Sequence, residues 1–215
     1  MIKVAPSILA VDLLEIEKKI KIIENCNADY IHIDIMDGHY VPNITFGPNM
    51  VKSLRKITKK TLDVHLMIKP VLPYIQEFID AGSDIISFHP EADSNHDEIF
   101  ELISKSDCKP AIAIHPEIDV SSILHLLPLV KLVLIMTVVP GFGGQKFLES
   151  QLKKINEISE YKINNKLDFE IEVDGGINNI TAKKCVNNGA NVLVSGSYIF
   201  SEIESDYSKN IESLR

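Results

Sequence analysis

Along this chain, short runs rich in Ile, Val and Leu alternate with longer stretches in which apolar residues return every three or four positions. The first kind of run reads as a buried strand and the second as an amphipathic helix. The predicted strands are Val4–Leu9, Tyr30–Ile35, Thr61–Leu66, Ile85–His89, Ala111–Ile114, Leu132–Met136, Phe169–Val173 and Val192–Ser195. Helical patterns fall at Leu13–Glu24, Asn49–Thr58, Val71–Ala81, Asp97–Lys105, Val120–Leu127, Leu148–Glu160, Thr181–Asn188 and near Ile203–Ser213. Strands that are apolar nearly throughout, each followed by a helix, imply a parallel sheet covered by helices. Eight such units match a closed (β/α)8 TIM barrel at the short end of its size range. An open doubly wound sheet is the alternative, but it rarely repeats the unit eight times without a break. No linker, low-complexity run or charge block interrupts the pattern, so residues 1–215 read as a single barrel domain of the α/β class.

Composition narrows the partners more than the fold. A chain of 215 residues is long enough for one well-buried core, and 45% hydrophobic with 24% charged residues is an ordinary globular make-up. The net charge of −8 argues against nucleic acid or an anionic membrane as partner, since either calls for a basic face. An anionic substrate therefore has to be met by local backbone donors or by a metal. The opening MIKVAPSILA lacks the long apolar core of a signal peptide, and no apolar run approaches a membrane span, so a cytoplasmic protein is expected. Cys26, Cys108 and Cys185 are odd in number and far apart, which reads as reduced structural thiols.

The barrel decides which residues carry chemistry, because its active site forms at the C-terminal ends of the strands. Ser7, Asp34, His65, His89, Met136, Asp174 and Ser195 sit there. In HIDIM, His32, Asp34 and Met36 alternate and share one face; TLDVHLMI puts His65 and Met67 in phase; FEIEVDGG ends in Asp174. Alone, each of His32, Asp34, His65 and Asp174 reads as a satisfied core histidine or a capping aspartate. Together, at the ends of alternate or near-alternate strands, they supply two imidazoles and two carboxylates able to ligate one divalent metal ion. Burying two carboxylates without a cation is costly, and a metal removes that cost. Mixed nitrogen and oxygen ligation suits Zn²⁺, Fe²⁺, Co²⁺ or Mn²⁺ better than Ca²⁺ or Mg²⁺. Two aspartates on roughly opposite sides of the mouth also suit proton transfer. One takes a proton from a carbon beside a carbonyl and the other returns it to the opposite face, with a metal stabilising the enediolate. No organic cofactor is needed for that reaction.

Glycine-rich loops follow the last three strands: VPGFGGQ with Gly141, Phe142, Gly143 and Gly144; then Gly175 and Gly176; then Gly196 and Ser197. One Gly–Gly pair alone marks a tight turn. Three such loops in succession at one rim present backbone N–H groups as an anion nest, where barrels that bind phosphosubstrates commonly seat the phosphate. Met36, Met67 and Met136 end strands two, three and six; the bland reading is core filler, and the other is a dry collar around the site. His39, His96, His115 and His125 are expected to face solvent, and Asp37 and Asn43 to shape the loop after strand two. His89, beside Pro90, is a further candidate for lining the site.

The segments PSIL at Pro6, HIDIMDGHYVPNITFGP at His32, DVHLMIKP at Asp63, FHPEA at Phe88, MTVVPGFGGQKF at Met136, EVDGGI at Glu172 and VSGS at Val194 closely resemble the ribulose-phosphate 3-epimerase family. The resemblance is collinear over essentially the whole chain. It implies a phosphate-binding barrel that interconverts D-ribulose 5-phosphate and D-xylulose 5-phosphate in the pentose phosphate pathway, as a homo-oligomer, dimer or hexamer. By this resemblance His32, Asp34, His65 and Asp174 hold one metal ion per subunit, and Asp34 and Asp174 form the acid/base pair. Ser7 contacts the substrate, and the Gly141–Gly144 loop, Gly175, Gly176, Gly196 and Ser197 hold its phosphate. Two departures stand out: Val139 replaces the polar residue usual before Pro140, and Glu117–Ile118 replaces a common Gly–Thr pair. Both bear on loop shape and substrate preference more than on the reaction.

The rival within the family is an epimerase of allulose 6-phosphate, but that branch tends to depart from the GFGG, VDGG and VSGS patterns kept here. A related decarboxylase would usually carry Lys two residues after the strand-two Asp, where this chain has Met36. A Schiff-base aldolase needs a Lys inside a strand, and Lys3 and Lys109 lie at the wrong end. A non-catalytic sugar-phosphate binding module would have no use for the His–Asp quartet.

Overall fold

The computed structural model describes residues 1–201 and 203–215. Its strands are β1 (Lys3–Pro6), β2 (Tyr30–Met36), β3 (Thr61–Met67), β4 (Ile85–Phe88), β5 (Lys109–Ile114), β6 (Leu132–Met136), β7 (Glu170–Asp174) and β8 (Val192–Ser195). Its α-helices are α1 (Ile16–Glu24), α2 (Pro48–Ile57), α3 (Ile75–Ala81), α4 (His96–Ser104), α5 (Gln151–Asn164), α6 (Thr181–Asn187) and α7 (Tyr207–Glu212). All strands belong to one parallel sheet in the order β1-β8-β7-β6-β5-β4-β3-β2. The ring closes between β1 and β2 at an isolated parallel bridge from Ser7 to His32. Asp29 ties the seam below: its N–H donates to Val4 O (2.9 Å), and its carboxylate accepts the Val4 N–H (2.8 Å) and the Arg215 guanidinium (2.7 Å). This is the expected (β/α)8 barrel.

The period-2 pattern sorts each strand into two faces. Outward residues such as Ile31, Ile33, Ile35, Val133, Ile135, Val173 and Leu193 join the main core beneath the helices. Inward residues Ala5, Tyr30, Ala111, Ala113, Leu132, Leu134, Met136, Val192 and Val194 fill the barrel itself. At the N-terminal end, Lys3 Nζ donates to Tyr30 Oη (2.6 Å) and pairs with Glu170, whose other oxygen accepts the Tyr30 hydroxyl (2.6 Å). That cluster plugs one end of the barrel, so the opposite end holds the accessible chemistry.

Several elements differ from the sequence reading. β1 stops at Pro6 because the Ser7 hydroxyl accepts the Leu9 N–H (3.3 Å) and starts a 3-10 turn, Ile8–Ala10. No α-helix follows β5: Val120–Ser122 and Leu124–Leu129 are 3-10 turns. Pro128 lies inside the second, and a proline supplies no N–H for the i→i−4 bond that an α-helix needs there. The first turns of the predicted first and third helices are likewise 3-10, at Leu13–Glu15 and Leu72–Tyr74. All three cysteines are free and buried, and burial pushes the Cys108 and Cys185 thiols up to about 12. No helix among the described residues is long and apolar enough to cross a membrane.

Leu134, fully buried inside the barrel, gives the packing test. Leu134→Ala is expected to cost ~2–5 kcal/mol in urea unfolding, against under ~0.5 kcal/mol for Leu14→Ala on the surface.

Candidate active site

β2, β3 and β7 bring His32, Asp34, His65 and Asp174 together at the C-terminal end of the barrel. One ligand atom from each lies within 4.8 Å of all the others. Asp34 Oδ1 sits between the imidazoles, 3.4 Å from His32 Nε2 and 3.5 Å from His65 Nδ1, and Asp174 Oδ2 is 3.9 Å from His32 Nε2. The other Asp34 oxygen accepts the Ser7 hydroxyl at 2.6 Å. Two details of the expected layout change. His32 is third in β2 rather than at its end, which places it one layer below the rim; and His65 stands on the strand next to Asp34, since β2 and β3 are neighbours. The quartet converges because its donors come from two depths of the barrel.

The orientation of both imidazoles is set from behind. His32 Nδ1 lies 2.6 Å from Asp63 Oδ2, and Asp63 in turn belongs to a fully buried group with His32 and Glu172. His65 Nε2 lies 2.9 Å from His89 Nε2. The nitrogens left over, His32 Nε2 and His65 Nδ1, are buried and without a hydrogen-bond partner among the described residues. Both point to the carboxylates, and buried polar atoms of this kind need a partner. Two free imidazole nitrogens beside two carboxylates are a donor set that fits a divalent transition-metal ion. Second carboxylates behind ligating histidines are the usual support for such sites.

The two aspartates have opposite electrostatic surroundings. Burial works to raise the Asp34 carboxyl, but His32 and His65 outweigh it and hold it well below the usual carboxylate range. Asp174 is pushed up to about 7 by burial and by the nearby Asp34 charge. Burial opposes a charge on His32, yet Asp34 and Asp63 overcome it and raise the imidazole well above its ordinary value. Burial lowers His65, and takes His89 down to about 4. Glu172 is raised well above its usual value by burial and by Asp63.

Above the quartet opens a cavity of about 610 Å³. Ser7, Asp34, Asp174 and the three methionines Met36, Met67 and Met136 line its depth, while Gly141, Phe142, Gly143, Gly144, Gly175, Gly176, Gly196 and Ser197 line one side. His32 and His65 lie beneath it, fully buried. The loops are braced rather than loose: Thr137 Oγ1 donates to Gly175 O (2.6 Å), Thr181 Oγ1 to Gly176 O (2.9 Å), and Gln145 Nε2 to Val139 O and Phe142 O (2.6 and 2.8 Å). Gly176 has φ +66° and a Cβ there would meet Phe147 N at 2.6 Å; Gly175 has φ +119° and would meet Val138 at 2.4 Å. Only glycine fits at either position.

The loop after β2 reaches over this mouth. Asp37 accepts the backbone N–H groups of His39, Tyr40 and Lys69, and Asn43 Nδ2 donates to Gly141 O (2.8 Å), so both residues shape loops as expected. His39 and His125 face solvent, whereas His96, bonded to Pro90 O, and His115, whose Nδ1 accepts the Glu117 N–H, are half-buried. Val139 and Glu117–Ile118, the two departures, meet around a second cavity of about 320 Å³ with Tyr40, Glu91 and His115.

The model of the Ribulose-phosphate 3 epimerase family matches residues 3–200. The chain belongs to the ribulose-phosphate 3-epimerase family. It is 46% identical over 216 residues to the ribulose-phosphate 3-epimerase of Bacillus subtilis, covering 100% of this chain and 99% of that one. It is 41% identical to the chloroplastic ribulose-5-phosphate-3-epimerase of Arabidopsis thaliana, covering 99% and 75%. With the ribulose-phosphate 3-epimerase of Escherichia coli the identity is 38%, over 99% and 94%. Among solved structures, a mutant tryptophan synthase alpha-subunit from Pyrococcus furiosus superposes with TM-score 0.74 at 13% identity, covering 100% of this chain and 99% of that one. That likeness is one of fold.

Asp63, Glu172, Glu91 and Tyr40 also surround the site of this epimerase-family chain and are not strand-end residues. Asp63 and Glu172 were signalled, since each lies two residues before a quartet member and so on the same face. Glu91 and Tyr40 reach the site through loops and carry no periodic signal. The charge balance yields a test. In chelator-treated protein, a carboxyl at about 7 in the fold and near 3.8 when unfolded loses stability as pH rises between those values. Asp174→Asn is therefore expected to raise apo stability at pH 8, by ~1 kcal/mol after discounting for partial exposure, with the gain fading towards pH 4. Denaturant melts at both pH values check it.

Proposed function

We propose that the chain epimerises D-ribulose 5-phosphate to D-xylulose 5-phosphate at C3 by a two-base proton transfer between Asp34 and Asp174. The observation that carries this reading is the pair of converging carboxylates whose environments drive their proton affinities apart. Such a divided pair assigns the roles: Asp34 is ionised and ready to accept a proton, and Asp174 holds one near neutral pH. Substrate would lie in the 610 Å³ cavity with its C3 between the two carboxyls. The Ser7 hydroxyl, by occupying one Asp34 oxygen, keeps that carboxylate turned towards the site. Met36, Met67 and Met136 present no exchangeable proton and keep water from the carbanion. The phosphate is assigned to the backbone of the Gly141–Gly144, Gly175–Gly176 and Gly196–Ser197 loops, which suits a chain of net charge −8.

His32 Nε2, His65 Nδ1, Asp34 and Asp174 are the residues that would hold a divalent ion, Zn²⁺, Fe²⁺, Co²⁺ or Mn²⁺. When bound, such an ion supplies Lewis-acid neutralisation of negative charge developing on the ketose oxygens. We place the reaction in the pentose phosphate pathway.

The deciding experiment is a coupled assay of metal-reconstituted protein on D-ribulose 5-phosphate, with allulose 6-phosphate in parallel. Fast formation of xylulose 5-phosphate that a chelator abolishes is expected; turnover of the six-carbon sugar alone would overturn the substrate assignment. Asp34→Asn and Asp174→Asn are each expected to lower kcat by ~10³-fold or more with the fold intact by circular dichroism. More than a few per cent of activity in both variants would sink the two-base scheme. Unphosphorylated D-ribulose is expected to bind far more weakly than its phosphate ester, and equal affinities would remove the phosphate assignment.

A further inference from the structure

A line of polar contacts leaves the quartet in the direction away from the glycine loops. His65 Nε2 lies 2.9 Å from His89 Nε2, His89 Nδ1 lies 3.5 Å from Glu91 Oε1, and the Tyr40 hydroxyl donates to that same oxygen at 2.8 Å. The His65 and His89 rings are fully buried, with centroids 5.1 Å apart, and Tyr40 stacks on His89 at 4.8 Å. None of these contacts is needed by the proton transfer proposed above, and three separate loops or strands converge to make them.

Proton placement along this line has two solutions. Either His65 donates from Nε2 to His89, leaving His89 Nδ1–H towards Glu91, or His89 donates to His65 and turns a lone pair on the carboxylate. Burial would raise Glu91, but His89, its own backbone and Tyr40 outweigh it and hold the carboxyl at about 2, so Glu91 is an anion. An anion facing a lone pair is repulsive, and facing an N–H it is attractive. The first solution therefore holds. It leaves the lone pair of His65 on Nδ1, 3.5 Å from Asp34 and without a hydrogen-bond partner among the described residues. His89 Nδ1 faces the Glu91 charge at 3.5 Å, an electrostatic contact longer than a hydrogen bond.

We infer that Glu91, acting through His89 and steadied by Tyr40, is a positioning residue that selects the His65 tautomer able to ligate at Nδ1. The inference rests on the metal reading of the quartet, and it assigns His65 the mirror image of His32, which is held at Nδ1 by Asp63 and offers Nε2. It also links the loop after β2, through Tyr40, to a ligand at the bottom of the cavity. Each residue touches the next, and none of the three lines the 610 Å³ cavity.

Two readouts test it, Co²⁺ affinity from its visible absorption and the His65 tautomer from long-range ¹H–¹⁵N imidazole spectra of the chelator-treated protein. Wild type is expected to carry the His65 proton on Nε2. His89→Leu, which accepts no hydrogen bond, is expected to weaken Co²⁺ binding ~10- to 100-fold. His89→Gln offers an amide oxygen to the His65 N–H and is expected to restore most of the affinity. Glu91→Ala is expected to mix the tautomers and weaken Co²⁺, and Tyr40→Phe to do so less. Apo thermal midpoints are recorded for every variant, so that a loss of fold is seen apart from a loss of ligand geometry. A His65 proton on Nδ1 in wild type, or unchanged Co²⁺ affinity in His89→Leu, overturns the relay. Wild-type protein that binds no Co²⁺ overturns the metal reading instead, and the tautomer spectra then decide the relay by themselves.

Discussion

One imidazole among four carboxyls, three of them buried, sets the terms for everything else in this barrel. His32 has Asp63 behind it, Asp34 and Asp174 in front, and Glu172 in the same buried group. Carboxyl groups without solvent repel one another unless protons or cations intervene. The fold answers in layers. At the N-terminal end Lys3 neutralises Glu170 directly. In the middle, burial and Asp63 raise the proton affinity of Glu172, and near the mouth Asp174 titrates around neutral pH. The two histidines hold the Asp34 carboxyl well below the usual carboxylate range, and its other oxygen accepts the Ser7 hydroxyl. The result is a gradient from structural pairing to reactive imbalance along the barrel axis.

The outer parts of the site are built differently from its floor. The floor is made of strand residues whose direction follows from the pleat, and the rim is made of loops whose shape follows from glycine and from side-chain bonds to backbone carbonyls. Thr137, Thr181 and Gln145 each satisfy loop carbonyls, so the glycine turns keep a defined shape although their own residues have no side chains to pack. Asn43 performs the same service between the loop after β2 and Gly141. Rigid floor and braced rim together hold the Asp34 and Asp174 carboxyls in fixed relation to the cavity above them.

Period-2 alternation made the barrel and the quartet legible: a strand with His, Asp and Met at every second position has one possible inward face. Glycine clustering made the rim legible for a similar reason, since a backbone that requires positive φ at Gly176 admits no other residue without strain. What stayed hidden depended on depth or on loops. His32 looks like a rim residue in the sequence and lies deeper, because β2 runs on past it to Met36. Asp63 and Glu172 share faces with residues already singled out, but nothing in a linear pattern says that two carboxyls will meet behind an imidazole. The segment after β5 has an amphipathic spacing, and Pro128 decides against the α-helix. Tyr40 and Glu91 come together only after two loops have folded over the same mouth.

The barrel is a vessel with one door. Lys3, Tyr30 and Glu170 stopper its far end, and the unpartnered nitrogens of His32 and His65 lie fully buried beneath the cavity rather than in its wall. Sequence of assembly is thereby written into shape: whatever those two nitrogens hold must enter before the cavity is filled and can leave only after it has emptied.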